Sequence, residues 1–535
     1  MLLHLQINHE TKYLFLIIPK NRRISFLIFP IPYSLFPIPY SLFPIPFLNL
    51  YQNRRFYTMD VLIIQSFAFA PYLGTAGEIA INAAVAGKKT GFCFIYVDNP
   101  DDVRLIPKSG SQKLAGVSWK HKVYKLQSIL NNYGVSILPD EFLSEKTQLT
   151  IQDYAQKAPH SLSEVRAYKY NDAALGLSTV SSLISRTLSW DPDPDEHYPL
   201  IQRYLRSAAM VYEKARALIL KYNPQKIIAF SGRYACVKGI FEAAKHLGVE
   251  FQYYDRGATY ERYELSEKSP YDYAYMREQL QIYWQQAGMD REQLGHSYYQ
   301  RKRQGEGIGW TSFTSEQQQG LVPERTGNHR QIVYYSSSDD EWAALGDFVK
   351  HPIFKNQREA VKYLLTWVSN RIDCYLTIRV HPHLKKKSLE SRNWWQSLTG
   401  KNVQVIPPDS KVDSYALMDW ADVVVTYGST TGVEAAYWGK PSVLLGDSAY
   451  SGLGCVYEPR SEAEVYQLLE KDKIAPLPQE ACLPFGYYSL RKGITYKYYN
   501  PHSLFSGDFL GEPLSPATTL YRSNLIKSIE TRTAG

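Results

Sequence analysis

Cysteine is scarce in this chain, five residues among 535, at positions 93, 236, 374, 455 and 482. No two form a CxxC pair and three lie inside apolar runs, which argues against a disulfide framework or a zinc site and for reduced, buried thiols in a cytoplasmic protein. Excess charge is missing from most of the chain as well. The net charge is +8, but six lysines and arginines stand before Met59 against Glu10 alone, so the remainder carries only +3. A near-neutral body gives no electrostatic case for nucleic acid. Also lacking is an unbroken apolar run that could span a bilayer: "YLFLIIP" is too short, and prolines interrupt "SFLIFPIPYSLF".

What is present is globular: 44% hydrophobic and 21% charged residues, in a chain long enough for two or three domains with cores of their own. The first 58 residues stand apart. "FPIPYSL" occurs at Phe29 and again at Phe36, followed by "FPIPF" at Phe43. Two prolines in each unit exclude a coiled coil despite the seven-residue period. Residues 1–58 are therefore expected to be disordered, or to precede a true start at Met59.

From Met59 the pattern alternates. "DVLIIQS" reads as a strand, "EIAINAAVAGKK" as a helix closed at Gly87 and "TGFCFIYVD" as the next strand, which makes a βαβ opening. A mostly helical insertion, about 117–222, follows. The alternation resumes at "KIIAF", "SGRYACVKGIFEAAKHLG" and "VEFQYYD", and restarts at "QIVYYSSS" through "CYLTIRVHPHL", "DVVVTYGS", "TTGVEAAYWG" and "KPSVLLG". The expected fold is α/β, with two Rossmann-like doubly wound domains facing a cleft. The boundaries fall at 59–325 for the first domain and 326–480 for the second, with the polar stretch from Tyr298 to Arg330 between them and 481–535 packing back on the first.

Three short stretches carry chemistry. In "YGSTTGVEAAYWGKPSVLLG" a buried strand ends at a small-residue turn, Gly428 to Thr431, and a helix follows. Unpaired N–H groups and the positive end of the helix dipole suit an anion such as a phosphate, and Glu434 is placed for hydroxyls attached to it. The plainer reading is a βα turn capped by Ser429 or Thr430. In "IRVHPHL" Pro382 stops a strand and holds His381 at the carboxyl edge of the sheet, where an imidazole can donate to a phosphate. In "QYYDRGATYER" Asp255 ends a strand of the first half and can serve as general base or pair with Arg256 or Arg262, while Gly257 lets substrate pass close.

These stretches together resemble the capsule polysaccharide biosynthesis family of bacterial glycosyltransferases, and are similar to the acidic, His-Pro and Ser/Thr motifs of bacterial sialyltransferases of the GT-B fold. The resemblance implies a nucleotide-sugar donor, CMP-linked in some members, in the second domain. It implies a polysaccharide or glycolipid acceptor in the first, at the cytoplasmic face of a membrane, with no metal and no cofactor. By the same resemblance Asp255 is the general base, and His381 is catalytic with it, stabilising the departing phosphate. His381, Pro382, Gly428, Ser429, Thr430, Thr431, Glu434 and Ser337 hold the donor. Gly74, Thr75, Arg233 and Gly257 meet the acceptor. This chain reads Asp-Arg-Gly where the family pattern has two acidic residues and a glycine. Competing readings are a nucleotide-sugar epimerase, a polyol-phosphate transferase and a non-catalytic sugar-binding scaffold.

Overall fold

The computed structural model describes residues 58–97, 112–308, 314, 316–325, 327, 329–346, 352–503 and 506–514. The backbone alone is described at 4–8, 13–20, 23–30, 112–119, 339, 341 and 342. Residues 1–55 form a unit by themselves, an antiparallel sheet of β1 (His4–Asn8), β2 (Tyr13–Lys20) and β3 (Arg23–Pro30). The first Phe-Pro-Ile-Pro repeat begins in the last two residues of β3, Phe29 and Pro30, and the rest of the repeats lie outside the described residues.

The body is two doubly wound lobes. In the first, β4 (Met59–Gln65), β5 (Thr90–Phe94), β6 (Ser136–Leu138), β7 (Pro224–Phe230) and β8 (Glu250–Arg256) are parallel in the order β6-β5-β4-β7-β8, and β9 (Arg262–Ser266) adds antiparallel to β8. Alternate side chains explain why both faces are covered. Leu62, Ile64, Ile227 and Ala229 enter one core, and Val61, Ile63, Ile228 and Phe230 the other. A parallel strand buried on both sides must be apolar at every position, which is why these runs show no polar alternation.

The second lobe repeats the winding with β10 (Arg330–Tyr335), β11 (Cys374–Arg379), β12 (Val403–Ile406), β13 (Val423–Thr426) and β14 (Ser442–Leu444), all parallel, in the order β12-β11-β10-β13-β14. The strand order reverses between β4 and β7 in one lobe and between β10 and β13 in the other. In open α/β sheets the crevice at such a reversal, beyond the carboxyl ends of the strands, is where ligands bind.

The division between lobes falls earlier than residue 326. The helices Tyr273–Gln286 and Arg291–Arg303 place Leu280, Tyr298 and Tyr299 in one apolar cluster with Val433, Tyr437 and Leu483 of the second lobe. Their polar surfaces read as linker, yet three aromatic and aliphatic anchors suffice to seat them. The chain returns through the helix Leu483–Arg491, which packs on these same helices. It then enters the first lobe as β15 (Ile494–Thr495), antiparallel to β9, followed by the small sheet β16 (Tyr499–Pro501), β17 (Gly507–Phe509) and β18 (Glu512–Pro513). Residues 515–535 lie outside the described residues. Among the described residues no helix is long and apolar enough to cross a membrane.

One helix joins the carboxyl edges of the two sheets. Gly176–Thr187 carries Ser181 and Ser185, which accept from Arg233 just beyond β7, both at 2.8 Å. Its other neighbour is the helix Asp339–Leu345 just beyond β10, where Leu177 lies against Gly346 and Arg166 donates to the Ala343 carbonyl. Past its end, Leu188 accepts from Ser388 N–H. Arg358 is sandwiched there between Trp190 and Trp394, at 4.2 and 4.6 Å, and with Trp190 shares Glu390.

Candidate active site

In the second lobe β10 is flanked by β11 and β13, with Tyr335 level with both Arg379 and Thr426. The residues that follow these three strands therefore emerge side by side. Ser336 Oγ accepts the His381 N–H at 2.8 Å, tying the β10 and β11 exits together. Arg379, 2% exposed, turns away and donates to the carbonyls of Pro407 and Ser410, which fixes the loop after β12.

His381 is half-buried and caps the short 3-10 turn Pro382–Lys386: its Nδ1 accepts from His383 N–H at 3.2 Å. That leaves the imidazole proton on Nε2. Burial, reinforced by the positive fields of His383, Arg379, Lys387 and Lys302, pushes its pKa down to about 3. A neutral ring of fixed tautomer results, a donor through Nε2 throughout the physiological range. Sequence reasoning did not find the pair that seats this turn. Lys387 Nζ meets Asp340 Oδ2 at 2.7 Å, buried on both sides.

Ser337 lies in the same crevice. Its backbone N–H and carbonyl are both held by Gln357, at 2.8 and 3.0 Å, and its Oγ is buried with no partner among the described residues. A buried hydroxyl without a partner is costly unless something else satisfies it.

Beyond β13 the turn is as expected in outline. Gly428 has φ of 148°, Ser429 Oγ accepts from Thr431 N–H at 3.3 Å and bonds Thr431 Oγ1 at 3.1 Å, and Thr430 is exposed with no capping bond from its side chain. The helix that follows, Thr431–Tyr437, is only seven residues long. Tyr450 braces the turn by donating to the Ser429 carbonyl at 2.6 Å. Gly432 has to be glycine, because a Cβ there would fall 2.6 Å from the Tyr450 hydroxyl. Glu434 is almost wholly buried and accepts the Tyr415 hydroxyl at 2.5 Å. One carboxylate oxygen is thus committed inside the lobe, a contact that the helical spacing of the sequence did not reveal.

In the first lobe Asp255 ends β8, half-buried. Oδ1 accepts the Arg256 N–H at 2.8 Å and Oδ2 accepts the Tyr271 hydroxyl at 3.2 Å. Burial raises its pKa, against the opposing pull of that backbone bond, Lys492 and Arg256. Arg262 donates to the Gly493 carbonyl and to Thr495. Ser231, buried at the β7 exit, has φ of 54°. A non-glycine residue held left-handed at a strand reversal is strain of the kind found at functional sites.

The acceptor residues divide. Gly257 sits beside Asp255, pressed against Arg262 and the Lys492 carbonyl. Arg233 stacks over Tyr234 and Tyr271 while its guanidinium holds the serines named above. Gly74 and Thr75 need correction: they do not face an open crevice. Thr75 is 3% exposed and bonds Tyr496, and a Cβ on Gly74 would lie 2.3 Å from the Tyr499 ring. The C-terminal strap covers both, and its own grip is Glu78, which accepts the N–H groups of Lys497, Tyr498 and Tyr499.

Residues 347–473 match the family model described as capsule polysaccharide biosynthesis protein. No curated protein sequence matches the chain. Solved structures similar to this chain include the Thermosulfurimonas dismutans KpsC beta Kdo 2,4 transferase, 13% identical, covering 54% of this chain and 84% of that one with a TM-score of 0.34. The beta Kdo 2,7 transferase of the same organism is 15% identical, covering 59% and 89%, with a TM-score of 0.32. A UDP-GlcNAc 2-epimerase from Neisseria meningitidis bound to UDP-GlcNAc is 11% identical, covering 89% and 100%, with a TM-score of 0.27.

Proposed function

We propose that this protein is a glycosyltransferase of surface or capsular polysaccharide assembly, taking a nucleotide-sugar donor in the second lobe and a polysaccharide or glycolipid acceptor against the first. The observation that carries the reading is the convergence at the β10/β13 reversal. There a neutral His381 of fixed tautomer, the Ser337 hydroxyl, which has no partner among the described residues, and the braced Ser429 turn emerge from neighbouring strands. Such a set of donors suits an anionic leaving group. The family match over 347–473 contains His381 and the Ser429 turn.

The mechanism is a single displacement. Asp255, with a carboxyl made more basic by burial, takes the proton of the acceptor hydroxyl, whose oxygen attacks the anomeric carbon. The bond from that carbon to the phosphate oxygen breaks, and His381 Nε2–H with the Ser429 and Thr431 hydroxyls receives the negative charge. Configuration inverts. No metal is invoked, and the catalysis takes place on the cytoplasmic side.

The test is a calorimetric screen of the chain from Met59 against CMP, UDP, GDP, CDP and ADP, repeated with His381→Ala, followed by turnover of the matching nucleotide sugar by Asp255→Asn. Saturable binding of one nucleotide, weakened in the His381 variant, together with lost turnover in the Asp255 variant, supports the reading. Absence of binding by all five would remove it and favour a sugar-binding scaffold.

A further inference from the structure

Tyr271 belongs to the segment 267–272, where the chain leaves the first lobe for the second, immediately before Asp272 caps the helix Tyr273–Gln286. Its hydroxyl nevertheless reaches back, to Asp255 Oδ2 at 3.2 Å and to Ser231 Oγ at 3.2 Å. Burial raises the phenol pKa further above its ordinary value, so the hydroxyl keeps its proton. Ser231 therefore donates to Tyr271, and Tyr271 donates to the carboxylate.

The other surroundings of Asp255 are charged or aromatic. Arg256 follows it on β8, Glu264 stands opposite on β9, and Lys492 approaches from the returning chain, bonded to Glu264 at 2.9 Å. Tyr72 lies on the helix Ala70–Val85, Tyr254 precedes Asp255 on its own strand, and Arg233 and Tyr234 sit on the β7 turn. Tyr271 gives this carboxylate a side-chain donor from another element.

We propose that Tyr271 is a positioning residue for Asp255. Held between Ser231 and the carboxylate on the crossover between lobes, it fixes the carboxyl rotamer so that the free lone pairs face the acceptor hydroxyl. The proposal rests on the reading of Asp255 as general base. A hydrogen bond to the ionised form lowers a carboxyl pKa, so removing it raises that pKa and moves the acid limb of the rate profile upward.

The experiment uses the full chain as Tyr271→Phe, Asp255→Asn and the double variant. Phenylalanine keeps the ring under Arg233 and removes only the hydroxyl. Thermal unfolding is followed from pH 4.5 to 8, and nucleotide release is followed from CMP-, UDP- and GDP-sugars. The expected result is a loss of Tm from Tyr271→Phe that grows with pH when Asp255 is present and is the same at every pH in the Asp255→Asn background. The acid limb of kcat/KM should rise by about one pH unit, the tenfold effect of a bond worth one pKa unit, with KM for the donor unchanged. An equal Tm loss at every pH in both backgrounds, with the acid limb unmoved, would make Tyr271 a packing residue and overturn the proposal. Full turnover by Asp255→Asn would instead overturn the general-base reading, and the positioning role with it, even if the Tm coupling were seen.

Discussion

Lys387 Nζ lies 2.7 Å from Asp340 Oδ2 with the two side chains 3% and 9% exposed, so the segments that leave β10 and β11 are joined by a buried ion pair as well as by the Ser336 to His381 bond. Removing one partner leaves a buried charge uncompensated, at a cost of about 3–5 kcal/mol. Asp340→Asn or Lys387→Met alone should lower stability by that order in denaturant titrations, and Asp340→Leu with Lys387→Met should recover most of it. A loss in the double variant equal to the sum of the two single losses would show that the pair is not coupled.

The His381 imidazole sets a pH dependence whose sign follows from its depressed pKa. The folded state holds the ring neutral down to about pH 3, while the unfolded chain protonates below its ordinary value of 6.5. Protonation therefore favours unfolding, and stability is lost as pH falls from 6.5 toward 3. His381→Gln removes this contribution. Between pH 7 and 4.5 the variant should lose about 2 kcal/mol less than the parent, at about 1.4 kcal/mol for each pH unit. Parallel stability curves would contradict a His381 ring held neutral in the folded state.

The strap is the third target. Glu78→Ala leaves the N–H groups of Lys497, Tyr498 and Tyr499 without their acceptor, and Gly74→Ala drives a methyl into the Tyr499 ring. Each orphaned buried donor costs about 1–3 kcal/mol. Amide exchange at 497–499 should quicken at least a hundredfold in either variant, with proteolysis appearing after Arg491. Unchanged protection would mean that the strap is held from elsewhere.

Trp190 supplies one face of the sandwich around Arg358, across the junction of the lobes. A double-mutant cycle with Trp190→Ala and Arg358→Met should give a coupling of about 1–2 kcal/mol, as for a partly desolvated cation over an aromatic ring. X-ray scattering from Trp190→Ala should show a larger radius of gyration. A coupling near zero with unaltered scattering would remove the cluster as a brace between lobes.

Strand order and site edge were legible because both depend on local pattern. Apolar runs of five to seven residues, each followed by a polar or small residue, mark parallel strands and their carboxyl ends, which is how Ser429 falls at the second reversal, His381 on the strand beside it and Asp255 one strand from the first. Contacts between distant segments carry no local mark. Gly74 and Thr75 sit on a βα loop pattern like any other, and only the fold brings Tyr496 and Tyr499 onto them. Glu434 looked available because helical spacing says nothing of Tyr415, on another element. The earlier lobe division escaped notice because the helix Arg291–Arg303 is polar nearly throughout, and its seat depends on Tyr299 stacked on Tyr437 at 3.9 Å.

Among the described residues the chain passes between the lobes twice, and both passages touch the strand end that bears Asp255. At the first stands Tyr271. At the second, Lys492 accepts from Ala258 N–H, and Gly493, with φ of 93°, lies so close to Gly257 that a Cβ would come within 3.1 Å of its Cα. Both links between the lobes therefore meet at one strand end, so the carboxylate of Asp255 is tied to each of them, through Tyr271 at the first and through the Ala258 to Lys492 bond next to it at the second.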